Sequence, residues 1–259
     1  MMLEANGLQK SFGNITATDD VSVEFGREEG ELVFIVGPNG AGKSTLINLL
    51  TGLLEPDEGE VILDGEDITA LRPDERVHKG LVRSFQVVKV FEEMTVRENI
   101  RTAILIKEQM TGGWTPRAAL SGLFSLSDEH EEVESKIDDL LTQFRLEDTE
   151  GTVAEELPHG DRKLLDVAMS FALEPNYLLL DEPTSGVSSQ ETDYVIETIV
   201  EVSEQQNVTT VTIEHDMDLV KGYADRVIAL HQGSVHGEGP PSMLESDQEL
   251  RRLLLGVEE

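Results

Sequence analysis

Five consecutive apolar residues, Leu32-Val33-Phe34-Ile35-Val36, end at a glycine-rich run, after which Leu46, Ile47, Leu49 and Leu50 return at helical spacing. The first pattern predicts a strand buried on both faces, the second a helix opening at Lys43 with one side against a core. Before them, Leu3 to Val36 reads as short strands and turns, and after them Gly59-Glu60-Val61-Ile62-Leu63-Asp64-Gly65 reads as a strand bounded by glycines. From about 88 to 165 helical periodicity dominates, with one Gly/Pro-containing interruption at Thr111 to Pro116. A second α/β stretch follows: Tyr177 to Leu180 as a buried strand, Tyr194 to Val202 as a helix and Val208 to Ile213 as a β-branched strand. Val227 to Leu230 and Ser234 to His236 then flank Gln232-Gly233 as a hairpin. No repeat or low-complexity linker interrupts the 259 residues, so the pattern predicts an α/β core with β-rich material near its start and a helical insertion.

Charge sharpens this picture. The chain carries 52 acidic against 20 basic residues, a formal net charge of −32, with only eight lysines. A surface of this sign excludes nucleic-acid binding through a general basic face. Self-repulsion of this size favours a protein of a high-salt cytoplasm, where molar salt shortens the Debye length to about 3 Å. An ordinary acidic protein with solvated carboxylates is the alternative. The densest block, 128 to 156, holds 12 acids and 2 bases, yet Val133, Ile137, Leu140, Leu141 and Phe144 keep helical spacing through it, which predicts a surface helix and not a binding tail. No apolar run approaches the roughly 20 residues that cross a bilayer. Met1 to Lys10 lacks the charged-then-apolar pattern of a secretion signal, so the chain is expected to be soluble and intracellular. Cysteine is absent, which removes disulfides, thiolate metal sites and thiol nucleophiles from consideration.

Candidate chemistry lies at two strand ends. Gly37-Pro38-Asn39-Gly40-Ala41-Gly42-Lys43-Ser44-Thr45 fits the phosphate-binding loop G-x-x-x-x-G-K-[ST] in its required place between a strand and a helix. Its glycines let successive N–H groups turn inward, and the helix N-terminus adds its positive end, forming an anion cradle. Lys43 has the reach for β- and γ-phosphates and Ser44 the hydroxyl for Mg²⁺. Leu178-Leu179-Leu180-Asp181-Glu182 is an apolar strand ending in two carboxylates, where a parallel sheet presents its ligand site. Asp181 is placed to hold Mg²⁺, directly or through water, and Glu182 to polarise an attacking water as general base.

With these motifs the chain resembles, over nearly its whole length, the nucleotide-binding subunit of an ATP-binding-cassette transporter. The resemblance implies a P-loop NTPase core with an antiparallel β subdomain and a helical subdomain at about 88–165, all within one cassette domain spanning 1–259, with ATP and Mg²⁺ as cofactors. Gln86, in Val82-Arg83-Ser84-Phe85-Gln86, matches the family's glutamine loop, which senses Mg²⁺ and the γ-phosphate and links to the membrane subunits. His215, in Glu214-His215-Asp216, matches the histidine that contacts the γ-phosphate, and Phe12, 25 positions before Gly37, stands where the family stacks an aromatic ring on adenine. Ser185-Gly186-Val187-Ser188 falls where the family's loop reaches the partner subunit, although Ser188 stands where many members have an acid. Phe91-Glu92-Glu93-Met94-Thr95-Val96-Arg97-Glu98-Asn99-Ile100, Glu214-His215-Asp216-Met217-Asp218-Leu219-Val220 and Leu255-Gly256 resemble cassettes of branched-chain amino acid importers, to which those for urea and short amides are closely related.

One segment departs from the family. Its signature usually reads Leu-Ser-Gly-Gly-Gln, whereas this chain has Leu157-Pro158-His159-Gly160-Asp161, expected to lead into a helix from Arg162. The Gly160 N–H can still donate to a γ-phosphate on the opposite subunit, but Pro158 supplies neither hydroxyl nor N–H, so that contact is absent or taken over by His159. The implied protein is a cytoplasmic, membrane-peripheral ATPase subunit. It closes head to tail, as a homodimer or with a second cassette, and works with integral membrane permeases and, indirectly, a solute-binding protein. A non-transport cassette acting as an ATP-gated clamp or assembly factor is the alternative. A guanine-nucleotide switch would need an Asn-Lys-x-Asp motif, which the chain lacks.

Overall fold

The computed structural model describes residues 2–84, 89–110, 125–246, 250 and 252. The interruption expected at Thr111 to Pro116, Gln86 and the Leu255-Gly256 pair lie outside the described residues. The chain divides into two compact units, one of residues 1–86, 176–183 and 203–259, the other of 87–175 and 184–202.

The first unit contains two sheets. The larger is built from β3 (Leu32–Val36), β6 (Leu81–Arg83), β7 (Tyr177–Asp181), β8 (Thr209–Ile213), β9 (Arg226–His231) and β10 (Ser234–Gly239), in the order β10-β9-β3-β8-β7-β6. All neighbours are parallel except the β9–β10 hairpin. β3, β7 and β8 are buried at every position, which explains their unbroken apolar or β-branched sequences: a parallel strand covered on both faces has no polar side. Buried Thr210 in β8 satisfies its hydroxyl against Ser203 Oγ at 2.9 Å. In register, Leu180 lies beside Thr212 and Asp181 beside Ile213, so both strands stop at the same level. Helix α1 (Lys43–Leu50) follows β3 and buries Leu46, Ile47, Leu49 and Leu50.

The smaller sheet is antiparallel, ordered β2-β1-β4-β5 from β1 (Leu3–Phe12), β2 (Ile15–Phe25), β4 (Glu58–Leu63) and β5 (Glu66–Asp67). The expectation of short strands is corrected here, for β1 and β2 run 10 and 11 residues. Each buries one face only, and register shifts between Ala5 and Ser11 break the alternation that would have marked their length. Helix α2 (Pro73–His78) completes the part of this unit before β6.

The second unit is helical, with α3 (Val96–Met110), α4 (Ser125–Gln143), α5 (His159–Phe171) and α6 (Ser189–Gln205). The acidic block forms α4 and the turns after it, with Val133, Ile137, Leu140, Leu141 and Phe144 all buried. Its charge is partly neutralised by Arg97, which pairs with Glu134 at 3.0 Å and with Asp138 and Glu150 at 2.5 Å. Two helix starts differ from expectation. α5 opens at His159, not Arg162, because Pro158 at the N-cap needs no N–H partner and presets the chain for a helix. α6 opens at Ser189, five residues before Tyr194, where Ser188 O accepts from the Glu191 and Thr192 N–H groups and Ser188 Oγ donates to the Glu191 carboxylate. The first unit also holds α7 (Met217–Tyr223) and α8 (Met243–Ser246). Among the described residues no helix is long and apolar enough to cross a membrane.

Candidate nucleotide site

The glycine-rich loop leaves the carboxyl end of β3 and is braced from two sides. Gly233, in the tight turn of the β9–β10 hairpin, donates its N–H to Ala41 O at 3.0 Å and accepts from the Asp19 N–H at 2.8 Å. A Cβ on Gly42, whose φ is 101°, would fall 2.3 Å from Ala17 O, and one on Gly37 would fall 2.2 Å from Leu230 O. Neither position has room for a side chain. Leu46 N–H closes the first helical bond onto Gly42 O at 2.8 Å, so the first turn of α1, which holds Lys43, Ser44 and Thr45, points its unpaired backbone donors toward the loop.

Lys43 is buried, and its ammonium donates to Gly37 O at 2.7 Å and Pro38 O at 3.1 Å. Burial lowers its pKa, while the nearby charges of Glu182 and Asp181 oppose that shift. The cation is therefore folded back onto the loop it is expected to serve.

Glu182 and His215, 33 positions apart, meet because β7 and β8 are adjacent and end together. His215 Nε2 lies 2.8 Å from Glu182 Oε1, and with the carboxylate ionised the imidazole is the donor. Glu182 is held in the left-handed region at φ 52° with its N–H on Ile213 O at 3.1 Å, a conformation uncommon for a residue with a Cβ. The turn lifts its side chain off the strand end. Glu182, His215, residues 39–45 and Phe12 line one cavity of ≈ 330 Å³. Phe12 is 49% exposed and pairs in register with Ile15, 71% exposed, so the cavity has an apolar lip suited to the face of a planar base. A slightly larger cavity, ≈ 370 Å³, lies by the amino ends of β7 and β8 near Arg27, Asn176 and Asn207, away from the loop.

Asp181 terminates β7 and is buried. Its Oδ2 accepts from Arg83 Nη2 at 2.9 Å, and Arg83 Nη1 donates to Asn48 Oδ1 on α1. The donor set fits Mg²⁺: a Ser44 hydroxyl and an Asp181 carboxylate are hard oxygens. Among the described residues no group of three or more His, Cys, Asp or Glu is placed to hold a metal ion.

The segment Leu157 to Asp161 belongs to the second unit, where Leu157 and Gly160 are buried and His159 is exposed. A Cβ on Gly160 would meet Glu191 Oε1 at 3.4 Å, and the same carboxylate accepts from Ser188 Oγ at 2.5 Å. The Ser188 hydroxyl, the Ser188 and Gly160 N–H groups and the charge of His159 together lower the Glu191 pKa. Burial, then the charge of Glu191, raises that of Asp161. Sequence reasoning missed Glu191, although Ser188 and Glu191 three residues apart are a legible capping box. It also missed Ile15, Asn48 and Arg83, of which only Arg83 carried a signal, a charge ending an otherwise apolar strand.

Comparison with known proteins agrees with this geometry. The family model described as ABC transporter matches residues 20–185. The chain is 34% identical over 258 residues to the high-affinity branched-chain amino acid transport ATP-binding protein LivG of Escherichia coli strain K12, with 98% of each chain covered. The ADP conformation of an ATP-binding cassette from an ABC transporter is similar at a TM-score of 0.80 and 31% identity, covering 99% of both chains. A dimeric cassette in a post-hydrolysis state, bound to ADP and Pi, is similar at a TM-score of 0.73 and 25% identity over 92% of this chain and 98% of that one. A braced phosphate loop, two carboxylates at the end of β7 and these likenesses lead to one conclusion: the chain belongs to the ABC transporter family, as one of its ATP-binding cassettes.

Proposed function

We propose that the chain is the ATP-hydrolysing subunit of a membrane importer whose cargo is branched-chain amino acids. The observation that carries the reading is the single cavity shared by the phosphate loop, Phe12, Glu182 and His215. Loop N–H groups and the α1 N-terminus hold the triphosphate, Phe12 stacks on adenine, and Lys43 turns from the Gly37 and Pro38 carbonyls to the β- and γ-phosphates. Glu182 accepts a proton from the attacking water, with its carboxylate oriented by the 2.8 Å contact to His215. With the γ-phosphate bound, the His215 Nε2–H that holds Glu182 in the free site turns toward the phosphate. Ser44 and Asp181 would hold Mg²⁺ and Gln86 would sense it, and the ion when bound would neutralise phosphate charge. Most of the rate gain then comes from positioning and preorganised charge.

Two copies, or this chain and a second cassette, close head to tail over two ATP molecules, with Leu157 to Asp161 of each meeting the γ-phosphate bound by the other. The dimeric cassette with ADP and Pi supports that assembly. The Glu191 carboxylate lies beside Gly160, so a phosphate brought there meets a like charge. Permease subunits bind on the cytoplasmic side of the membrane, a role supported by exposed Phe91 and Met94 in the segment that resembles importer cassettes. A solute-binding protein delivers the cargo to them.

Deleting the gene and measuring uptake of radiolabelled leucine, isoleucine and valine, with urea in parallel, tests the cargo. Loss of branched-chain uptake alone supports the proposal. Unchanged amino-acid uptake with lost urea uptake would move the cargo to small amides, and unchanged uptake of all four would overturn the importer reading.

A further inference from the structure

We propose that Arg83 is a positioning residue of the divalent-cation site, holding the Asp181 carboxylate and restraining, by competition for it, how tightly that site takes its cation. The inference rests on the reading of Asp181 as a Mg²⁺ position. Arg83 is the last residue of edge strand β6, in register with Leu179 of β7. Its guanidinium reaches past the end of β7 and bridges two elements: Nη2 donates to Asp181 Oδ2 at 2.9 Å, and Nη1 donates to Asn48 Oδ1. Asn48 lies on α1, whose first turn carries Ser44, so one side chain ties together the two elements that supply the proposed cation ligands.

The pair is dry, with side-chain exposures of 10% for Arg83 and 6% for Asp181. In such a site opposite charges attract far more strongly than in water, and a second cation brought to the same carboxylate meets the guanidinium's repulsion at close range. A planar fork also fixes the carboxylate's orientation in a way that a lysine ammonium does not. Arg83 therefore acts in two separable ways. Its geometry orients Asp181, and its charge limits cation affinity, leaving Mg²⁺ held jointly with the nucleotide and released with it.

The test uses the whole chain and a fluorescent, non-hydrolysable ATP analogue, in high-salt buffer. Binding is titrated with and without Mg²⁺, and the ratio of the two dissociation constants gives the coupling between cation and nucleotide. Arg83→Met should raise that ratio at least about threefold, because Asp181 loses its competing partner, while metal-free nucleotide affinity stays near the parent's. Arg83→Lys keeps the charge and should hold the ratio within about twofold while lowering kcat through the lost fork. If Arg83→Met does not fold, Arg83→Gln removes the same charge and carries the same expectation. A ratio unchanged or lowered on removal of the charge overturns the inference, since a merely structural arginine would alter stability without raising cation coupling. Asp181→Asn separates the two levels: if it leaves the ratio unaltered, the reading of Asp181 itself fails, whereas a fall there combined with no rise in Arg83→Met refutes Arg83 alone.

Discussion

Replacing Arg76 by methionine should destabilise the nucleotide-binding unit more than any surface charge change, although Arg76 lies outside the cavity. Arg76 is 1% exposed, and its guanidinium donates to Leu49 O at 2.7 Å, Leu50 O at 2.6 Å, Thr69 O at 2.8 Å and Leu71 O at 3.1 Å. Two of these carbonyls end α1, where the helix dipole is negative and the last carbonyls have no partner within the helix. Burial pulls the Arg76 pKa down to about 10, opposed only by the charge of Asp67. Methionine fills most of the space but donates nothing. Leu49 O keeps the Gly52 N–H at 3.2 Å, whereas Leu50 O loses this donor in a dry site. A stranded buried carbonyl costs about 1–3 kcal/mol. The lost cation at a helix C-terminus adds up to about 2 kcal/mol, and relief of guanidinium desolvation offsets part of the sum. A net loss of about 1–4 kcal/mol is expected, and about 3 kcal/mol corresponds to a fall in melting midpoint of roughly 6–12 °C for a chain of this size. Circular dichroism melts in high salt, without nucleotide, provide the measurement, with Arg72→Met as control because Arg72 is 70% exposed and pairs only with surface acids. An Arg76→Met midpoint equal to the control's would refute the argument.

Three further outcomes follow from particular contacts. Gly42→Ala should weaken nucleotide binding at least about tenfold in a fluorescence titration, because the left-handed backbone and the Ala17 carbonyl both reject a Cβ, while Gly151→Ala, in open space, should not. Glu31, buried against Arg226 at 2.7 Å, has a pKa raised by burial but lowered more by Arg226 and by the Gly26 and Arg27 N–H groups, leaving it below its ordinary 4.5. Its contribution is thus complete above about pH 4.5 and is lost as pH falls through the lower folded value, so Glu31→Gln should flatten the acid limb of the melting profile and an identical limb would contradict the pairing. At a net charge of −32 the melting midpoint should climb steeply between 0.1 and 3 M KCl, as the Debye length shrinks from about 10 Å to 3 Å and below; a midpoint that barely moves would discard the high-salt reading.

What the sequence made legible was whatever depends on neighbours in the chain. β3, the loop and α1 form one contiguous pattern, and β7 announces itself because a strand buried on both faces is apolar at every position until Asp181. β1 and β2 were blurred by one-sided burial and shifted registers. The contacts that sequence reasoning missed join residues far apart: Arg83 and Asp181 are 98 positions from each other, and Arg76 is 27 from Leu49. Nothing local marks such a partner. A buried arginine in an apolar strand signals only that a partner exists. Glu191 was half legible, since Ser188 and Glu191 fit the spacing of a capping box, but the approach of its carboxylate to Gly160 on a second helix is a tertiary event.

Glu182→Gln addresses the central claim most directly, because it removes one proton acceptor and leaves the loop, Lys43 and Asp181 in place. Equilibrium binding of ATP and the rate of phosphate release should be measured on the same preparation, in high salt with Mg²⁺. ATP affinity should stay within a few-fold of the parent's, while phosphate release falls by at least about 10²-fold, the range for a lost general base. Hydrolysis at the parent rate would contradict the assignment of Glu182, and with it the proposal that this cavity is where ATP is cleaved.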